Sequence, residues 1–190
     1  MASPQLAATY TMMSDNSNAT DEALRSRLKS LSLWDFALDF YCRPGVEPAC
    51  LLLQDEANID VCELLWHCWL YHHSLQLVRE PPGLADVHHW QQRTTVPLRR
   101  LRRELKPAAR HSAGIAEVRR YIQQAELAAE RETLDRLQQL VEQSGFLTPL
   151  SSATANLKNS LARRWKLQKK THLSALQTLE CLLDPPQPPR

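Results

Sequence analysis

Glycine is scarce in this 190-residue chain: Gly45, Gly83, Gly114 and Gly145 are the whole set. With so few, a glycine-rich loop that cradles phosphates has nowhere to form, and neither a G-x-S-x-G elbow nor an H-E-x-x-H pair is present. Also missing are a period-two strand pattern and an internal repeat. No long apolar run occurs. The most apolar stretch, 59–71, is interrupted by Asp60, Glu63 and His67 and falls far short of the ~20 residues a bilayer helix needs. The first twenty residues hold neither a basic region nor an apolar core, so a secretory signal is not expected. Met12 and Met13 are alternative starts to Met1.

The residues that are plentiful favour helix. Leu, Ala, Gln, Glu and Arg abound, and these side chains lose little freedom in a helix. The five cysteines, Cys42, Cys50, Cys62, Cys68 and Cys181, are odd in number. Four lie in apolar helix-like stretches, which predicts reduced thiols of the cytosol. Net charge is +2, unevenly laid out. Residues 1–90 carry five Lys/Arg and twelve Asp/Glu, whereas residues 91–190 carry eighteen and nine. That asymmetry implies either an internal electrostatic match or a basic face offered to an acidic partner.

Along the chain, residues 1–30 are polar and expected to be mostly disordered, grading into helix at Leu24 and Leu28. Ser32 is placed to cap a helix over 32–42, with Asp35 near the capping-box position. Arg43-Pro44-Gly45 ends it. A second helix is expected over 46–57, with Pro48 in its first turn. Asn58 is read as the cap of a third over 59–77, with a wide apolar face. Pro81-Pro82-Gly83 breaks the chain, and a fourth helix over 84–95 either runs on or kinks at Pro97. The segment 96–106 sets Val96, Leu98, Leu101 and Leu105 along one side and its arginines on the other. The longest helix is expected between Gly114 and Gly145, with Ile115, Val118, Ile122, Ala125 and Ala129 at three- and four-residue steps. It either packs within the domain or forms a two-helix coil with a partner. A last amphipathic helix is expected over 153–183, and residues 184–190 read as an extended Pro-rich tail. The fold class is therefore all-α: a bundle of five to six helices over 31–145, with 150–183 as a basic, partly independent C-terminal arm.

Four constellations bear on chemistry. Cys62, His67, Cys68, His72 and His73 share one helix, and His88 and His89 lie on the next. Zinc needs four such ligands tetrahedrally placed, but no CxxC pair occurs and the neighbouring tryptophans favour core packing. Asp35 and Asp39 make a DxxxD pair, a spacing similar to the Mg²⁺-diphosphate sites of helical isoprenoid synthases. Those sites need a second acidic helix facing a large cavity, and the simpler reading is a cap plus a solvated stripe. Two basic stretches, 99–106 and 163–170, offer Arg99, Arg100, Arg102, Arg103, Arg163, Arg164, Trp165, Lys169 and Lys170. Phosphates would meet the cations and a base could stack on Trp165; the simpler reading is a solvated helix face. Finally, the basic helix over 153–183 suits either a partner's groove, an anionic membrane or docking on its own bundle.

The stretch LWDFALDFYCRPGVEPACLLLQDEANIDVCELLWHCWL, 33–70, resembles a small uncharacterised bacterial family, mainly proteobacterial. Its signature runs L-W-x-F-A-L-x-x-Y, R-P-G-V, A-C-L-x-L-Q-D and D-V-N-L-L-L-x-x-x-W-L. Cys62-Glu63 departs from that last element, as do residues 67–73. The resemblance continues through VPLRRLRRELK, 96–106, and Ala125 to Arg131, and covers most of 31–142. It implies a cytoplasmic helical protein and supplies no catalytic residue. The leading expectation is a non-enzymatic interaction or adaptor protein with an unidentified protein partner and no cofactor. The alternatives are a nucleic-acid-associated protein and a metal- or diphosphate-dependent helical enzyme.

Overall fold

A computed structural model describes residues 22–142, 145–151 and 156–183. The expected disordered stretch therefore lies outside the described residues up to 21, as do the alternative starts and the Pro-rich tail. Residues 22–28, which are described, form helix α1 and bury Leu24 and Leu28. The chain is mostly helical and divides into two compact units. One takes in the described residues up to Glu80 and from Val141 onward; the other is Pro81–Leu140.

The first unit is built around α4, Val61–His72, flanked by α2, Leu33–Tyr41, and α3, Val46–Ala57. Ser32 starts α2 as its spacing predicts. Its hydroxyl accepts from the Asp35 amide at 3.1 Å and donates to Asp35 Oδ2 at 2.6 Å. In α3, Gly45 precedes the first residue at φ 96°, a conformation only glycine adopts without strain. Asn58 does not cap the next helix. It closes α3 in the left-handed conformation, and Asp60 caps α4 by accepting from the Glu63 amide at 2.9 Å. Core burial on α4 is nearly continuous: Leu64, Trp66, Cys68 and Trp69 are wholly buried. The Trp69 indole donates to the Leu31 carbonyl at 2.9 Å.

The helix expected to run to 77 stops at His72, because Ser74 takes φ 58° and turns the chain. Beyond that turn lies a strand, β1, Leu75–Leu77, paired antiparallel with β2, Leu147–Pro149, Gln76 opposite Thr148. Each strand is three residues long, too short for a period-two pattern to register in the sequence.

The single C-terminal helix expected over 153–183 is two helices, α8, Leu157–Arg164, and α9, Lys170–Leu182. Lys166 breaks it at φ 52°. The Leu167 amide donates to the Ala162 carbonyl at 2.8 Å and the Lys166 amide to the Arg163 carbonyl at 3.3 Å, a Schellman closure with lysine where glycine is usual. α9 packs along α3 and α8 against α9. Leu176 and Leu179 are wholly buried, the Arg43 guanidinium donates to the Leu182 carbonyl at 2.9 Å, and His172 meets Glu56 at 3.2 Å. Glu180 accepts from the first amide of α8 at 2.7 Å, meeting an otherwise unpaired donor of that helix.

The second unit holds α5, Leu84–Arg93, α6, Thr95–Glu104, a 3₁₀ turn at Ala108–Arg110, and most of α7, Ala113–Glu142. The junction of α5 and α6 is Thr94, at φ −126° and ψ −65°, and Pro97 sits in the first turn of α6, where a missing N–H is harmless. Trp90 donates to the Ala129 carbonyl at 3.3 Å, and the Arg136 guanidinium lies 4.4 Å from the Trp90 ring centre. At Gly83 a Cβ would meet Leu140 Cδ2 at 2.6 Å, so a larger residue there obliges the leucine tip to shift.

Candidate interaction surface

α6 and the first half of α7 form an antiparallel helical hairpin, and ion pairs set its register. Arg99 reaches Glu126 Oε1 at 3.1 Å and Glu130 Oε1 at 2.6 Å. Arg102 clasps Glu126 through both Nε and Nη2, and the Arg119 Nε donates to the Arg102 carbonyl at 3.3 Å. Burial by itself would raise the Glu126 carboxyl pKa. The hydrogen bonds and charges of Arg102, then Arg99, outweigh it and hold the group below the ordinary carboxylate range. Arg99 is opposed in the same way by burial, and its carboxylate partners still raise it.

Those two arginines thus act as ties inside the hairpin. The others of this stretch lie outward: Arg100 is exposed and bonds Glu104 at 2.7 Å, and Arg103 is exposed. Helical spacing puts Leu98, Leu101 and Leu105 on one stripe of α6, and Val118, Tyr121, Ile122 and Ala125 on one stripe of α7. In an antiparallel pair held by Arg99 and Glu130 on one edge, both stripes fall on the other edge. That apolar edge is open in part, with Leu98, Leu105 and Ile122 half-buried. Leu101, Val118 and Tyr121 are 43, 51 and 53 % exposed. From 96 to 125 no apolar residue is buried, although α7 was expected to offer Ile115, Val118, Ile122, Ala125 and Ala129 to a core or a coil. Only Ala129 reaches one, at 5 % exposure.

The second basic stretch divides likewise. Arg164 turns inward, donating to Glu63 Oε1 at 3.1 Å and Glu80 Oε1 at 2.8 Å. Trp165 is part-buried and stands edge-on to the His67 ring at 5.8 Å. Arg163, Lys169 and Lys170 are exposed, Lys169 within 3.7 Å of Glu56. Arg164 also edges a cavity of about 120 Å³, whose wall includes His67, Leu70, Leu75, Leu157 and Ser160.

Asp35 and Asp39 do not converge on a cavity. Asp35 belongs to the α2 cap, and exposed Asp39 pairs with Arg43 at 2.8 Å. Among the described residues no three His, Cys, Asp or Glu side chains stand close enough to hold a metal ion. The histidines and cysteines of α4 pack instead. His67 lies against Trp66 at 5.3 Å and His73 against Trp69 at 5.4 Å, while burial pushes the Cys50 thiol up to about 12 and raises that of Cys68 as well. The residues that sequence reading missed are the acids, Glu126 and Glu130. Their i,i+4 spacing on an alanine-rich stretch facing the arginines of 99–103 was the available signal.

Residues 32–137 match the family described as "Protein of unknown function (DUF2390)", and the chain belongs to that family. The match ends before β2, α8 and α9, which nonetheless complete the first unit. No curated protein and no solved structure matches the chain. No helix among the described residues is long and apolar enough to cross a membrane.

Proposed function

We propose that the protein is a non-enzymatic protein-interaction module that docks a partner protein on the apolar edge of the α6–α7 hairpin. One observation carries this reading: between 96 and 125 the hairpin buries no apolar residue, yet it presents Leu101, Val118 and Tyr121 to solvent. Most helical stability in proteins comes from packing an apolar face, and an unpacked stripe of this kind marks an interaction site. The nucleic-acid alternative is weakened because Arg99, Arg102 and Arg164 spend their charge on Glu126, Glu130, Glu63 and Glu80. Among the described residues no cluster of donors supports the metal- or diphosphate-dependent enzyme.

The test places a photo-crosslinking side chain at Tyr121, with Leu38, an exposed leucine of the first unit, as the control position. The expected result is a nuclease-resistant protein adduct at position 121 alone, lost in Val118→Asp. Adducts that vanish with nuclease, or that survive Val118→Asp unchanged, would overturn the reading.

A further inference from the structure

The cavity of about 120 Å³ lies wholly within the first unit, where α4, β1 and α8 meet. Six leucines, Leu70, Leu75, Leu77, Leu150, Leu157 and Leu161, give it an apolar wall. Ser160 and Arg164, one turn apart on α8, stand among its polar residues. The Ser160 hydroxyl bonds no other described residue. Arg164 donates through Nε and Nη2 to Glu63 and through Nη2 to Glu80, and its Nη1 bonds none of the described residues. An apolar wall with a few polar groups to fix orientation is the usual make-up of a small-molecule site.

Charge decides what kind of molecule fits. Glu63 and Glu80 already match the Arg164 guanidinium, so an anion entering the cavity finds no positive charge left and two carboxylates close by. A cation would point its hydrogens at that same guanidinium. His67, on the wall, adds no charge near neutrality, because burial lowers its pKa. Water alone would satisfy the donors but wet the leucines. A wholly apolar cavity of about 150 Å³ accepts benzene, so this one accepts roughly five or six heavy atoms.

We propose that this cavity binds a small uncharged amphiphile, with one acceptor oxygen, as in a primary amide or ketone, on a short hydrocarbon body. The oxygen accepts from Arg164 Nη1 and the Ser160 hydroxyl, and the hydrocarbon lies along the leucines. The proposal does not depend on the docking edge of the hairpin.

The experiment titrates the full chain, carrying ¹³C-labelled leucine methyls, with isobutyramide and separately with isobutyrate, an ion of the same shape. Isobutyramide is expected to shift the Leu157 and Leu161 methyls to saturation, with isobutyrate at least about tenfold weaker. Shifts that never saturate would overturn the proposal and leave a water-filled cavity. Isobutyrate binding as tightly as isobutyramide would overturn it too.

Two variants at exposed positions test the assignment of each part. Glu80→Gln takes one carboxylate from Arg164 and is expected to narrow the gap between the two probes. An unchanged gap would overturn the charge argument and the proposal with it. Ser160→Phe fills the cavity and is expected to abolish isobutyramide binding. Unchanged binding in that variant would place the molecule elsewhere. Circular dichroism checks the fold of each, and Ser160→Met replaces Ser160→Phe should the latter lose helix.

Discussion

Arg164 donates from both Nε and Nη2 to one oxygen of Glu63, at 3.3 and 3.1 Å, across a separation of 101 residues. Glu63 is 8 % exposed, and that guanidinium faces its carboxylate out of reach of most solvent. Removing the cation takes the guanidinium from a buried carboxylate, whereas Glu63→Gln leaves Arg164 still bonded to Glu80. Arg164→Met should therefore destabilise by on the order of 3 kcal/mol, and Glu63→Gln by clearly less. Urea unfolding of the two variants checks the ordering, and the reverse order would contradict it.

The two buried tryptophans of α4 should respond differently to the same change. Trp69 bonds the Leu31 carbonyl, while the Trp66 indole N–H is buried with no partner among the described residues. Both lose similar packing on conversion to Phe. Trp69→Phe additionally loses a hydrogen bond to the Leu31 carbonyl, and Trp66→Phe removes an unsatisfied donor. The first should cost roughly 1–2 kcal/mol more than the second in denaturant unfolding.

Lys166 occupies the left-handed position that ends α8. Lys166→Gly should raise stability by about 0.5–1 kcal/mol, because glycine meets no Cβ clash at φ 52°. Lys166→Ala keeps the Cβ and should give no gain. A shift of the urea midpoint in glycine alone is the signature.

Acid should weaken the fold in two windows. Burial, then the neighbouring His72, lowers His73 from 6.5 to about 4, and burial lowers His67. The folded chain then binds fewer protons than the unfolded one. Stability from these groups is complete above pH 6.5 and declines as pH falls toward 4. Glu126 is lowered as well, so its contribution is complete above 4.5 and is lost as pH falls from there through its lowered folded value. Urea midpoints between pH 7.5 and 5 should flatten in His73→Phe and keep their slope in Glu126→Gln.

Thiol labelling should separate the cysteines. Cys42 and Cys181 are exposed, and Cys50, Cys62 and Cys68 are buried. With burial holding Cys50 and Cys68 as thiols, a neutral-pH disulfide reagent should modify Cys42 and Cys181 promptly and the other three only after denaturation. Rapid native labelling of Cys68 would contradict the packing of α4.

The boundaries of α2 and α3 were legible because local chemistry sets them. A serine with an acid three residues on, and a proline-glycine break, act within one turn of chain. The same holds for the two basic stretches, and for the apolar spacing of α6 and α7. The end of α8 was not legible, since its left-handed residue is a lysine held by a closure that no local preference announces. The β1–β2 ladder was equally hidden, because residues 75–77 and 147–149 find their partners only when the chain returns.

By itself, the sequence determined a helical chain, its main breaks and the uneven charge of its two halves, all consequences of short-range spacing and composition. Only the tertiary structure decided which charges remain on offer. It folds Arg99 and Arg102 onto Glu126, and Arg164 onto Glu63, while leaving Val118 and Tyr121 in solvent. A side chain's availability depends on neighbours distant in sequence, and helical periodicity is the same for a stripe that is packed and one that is not.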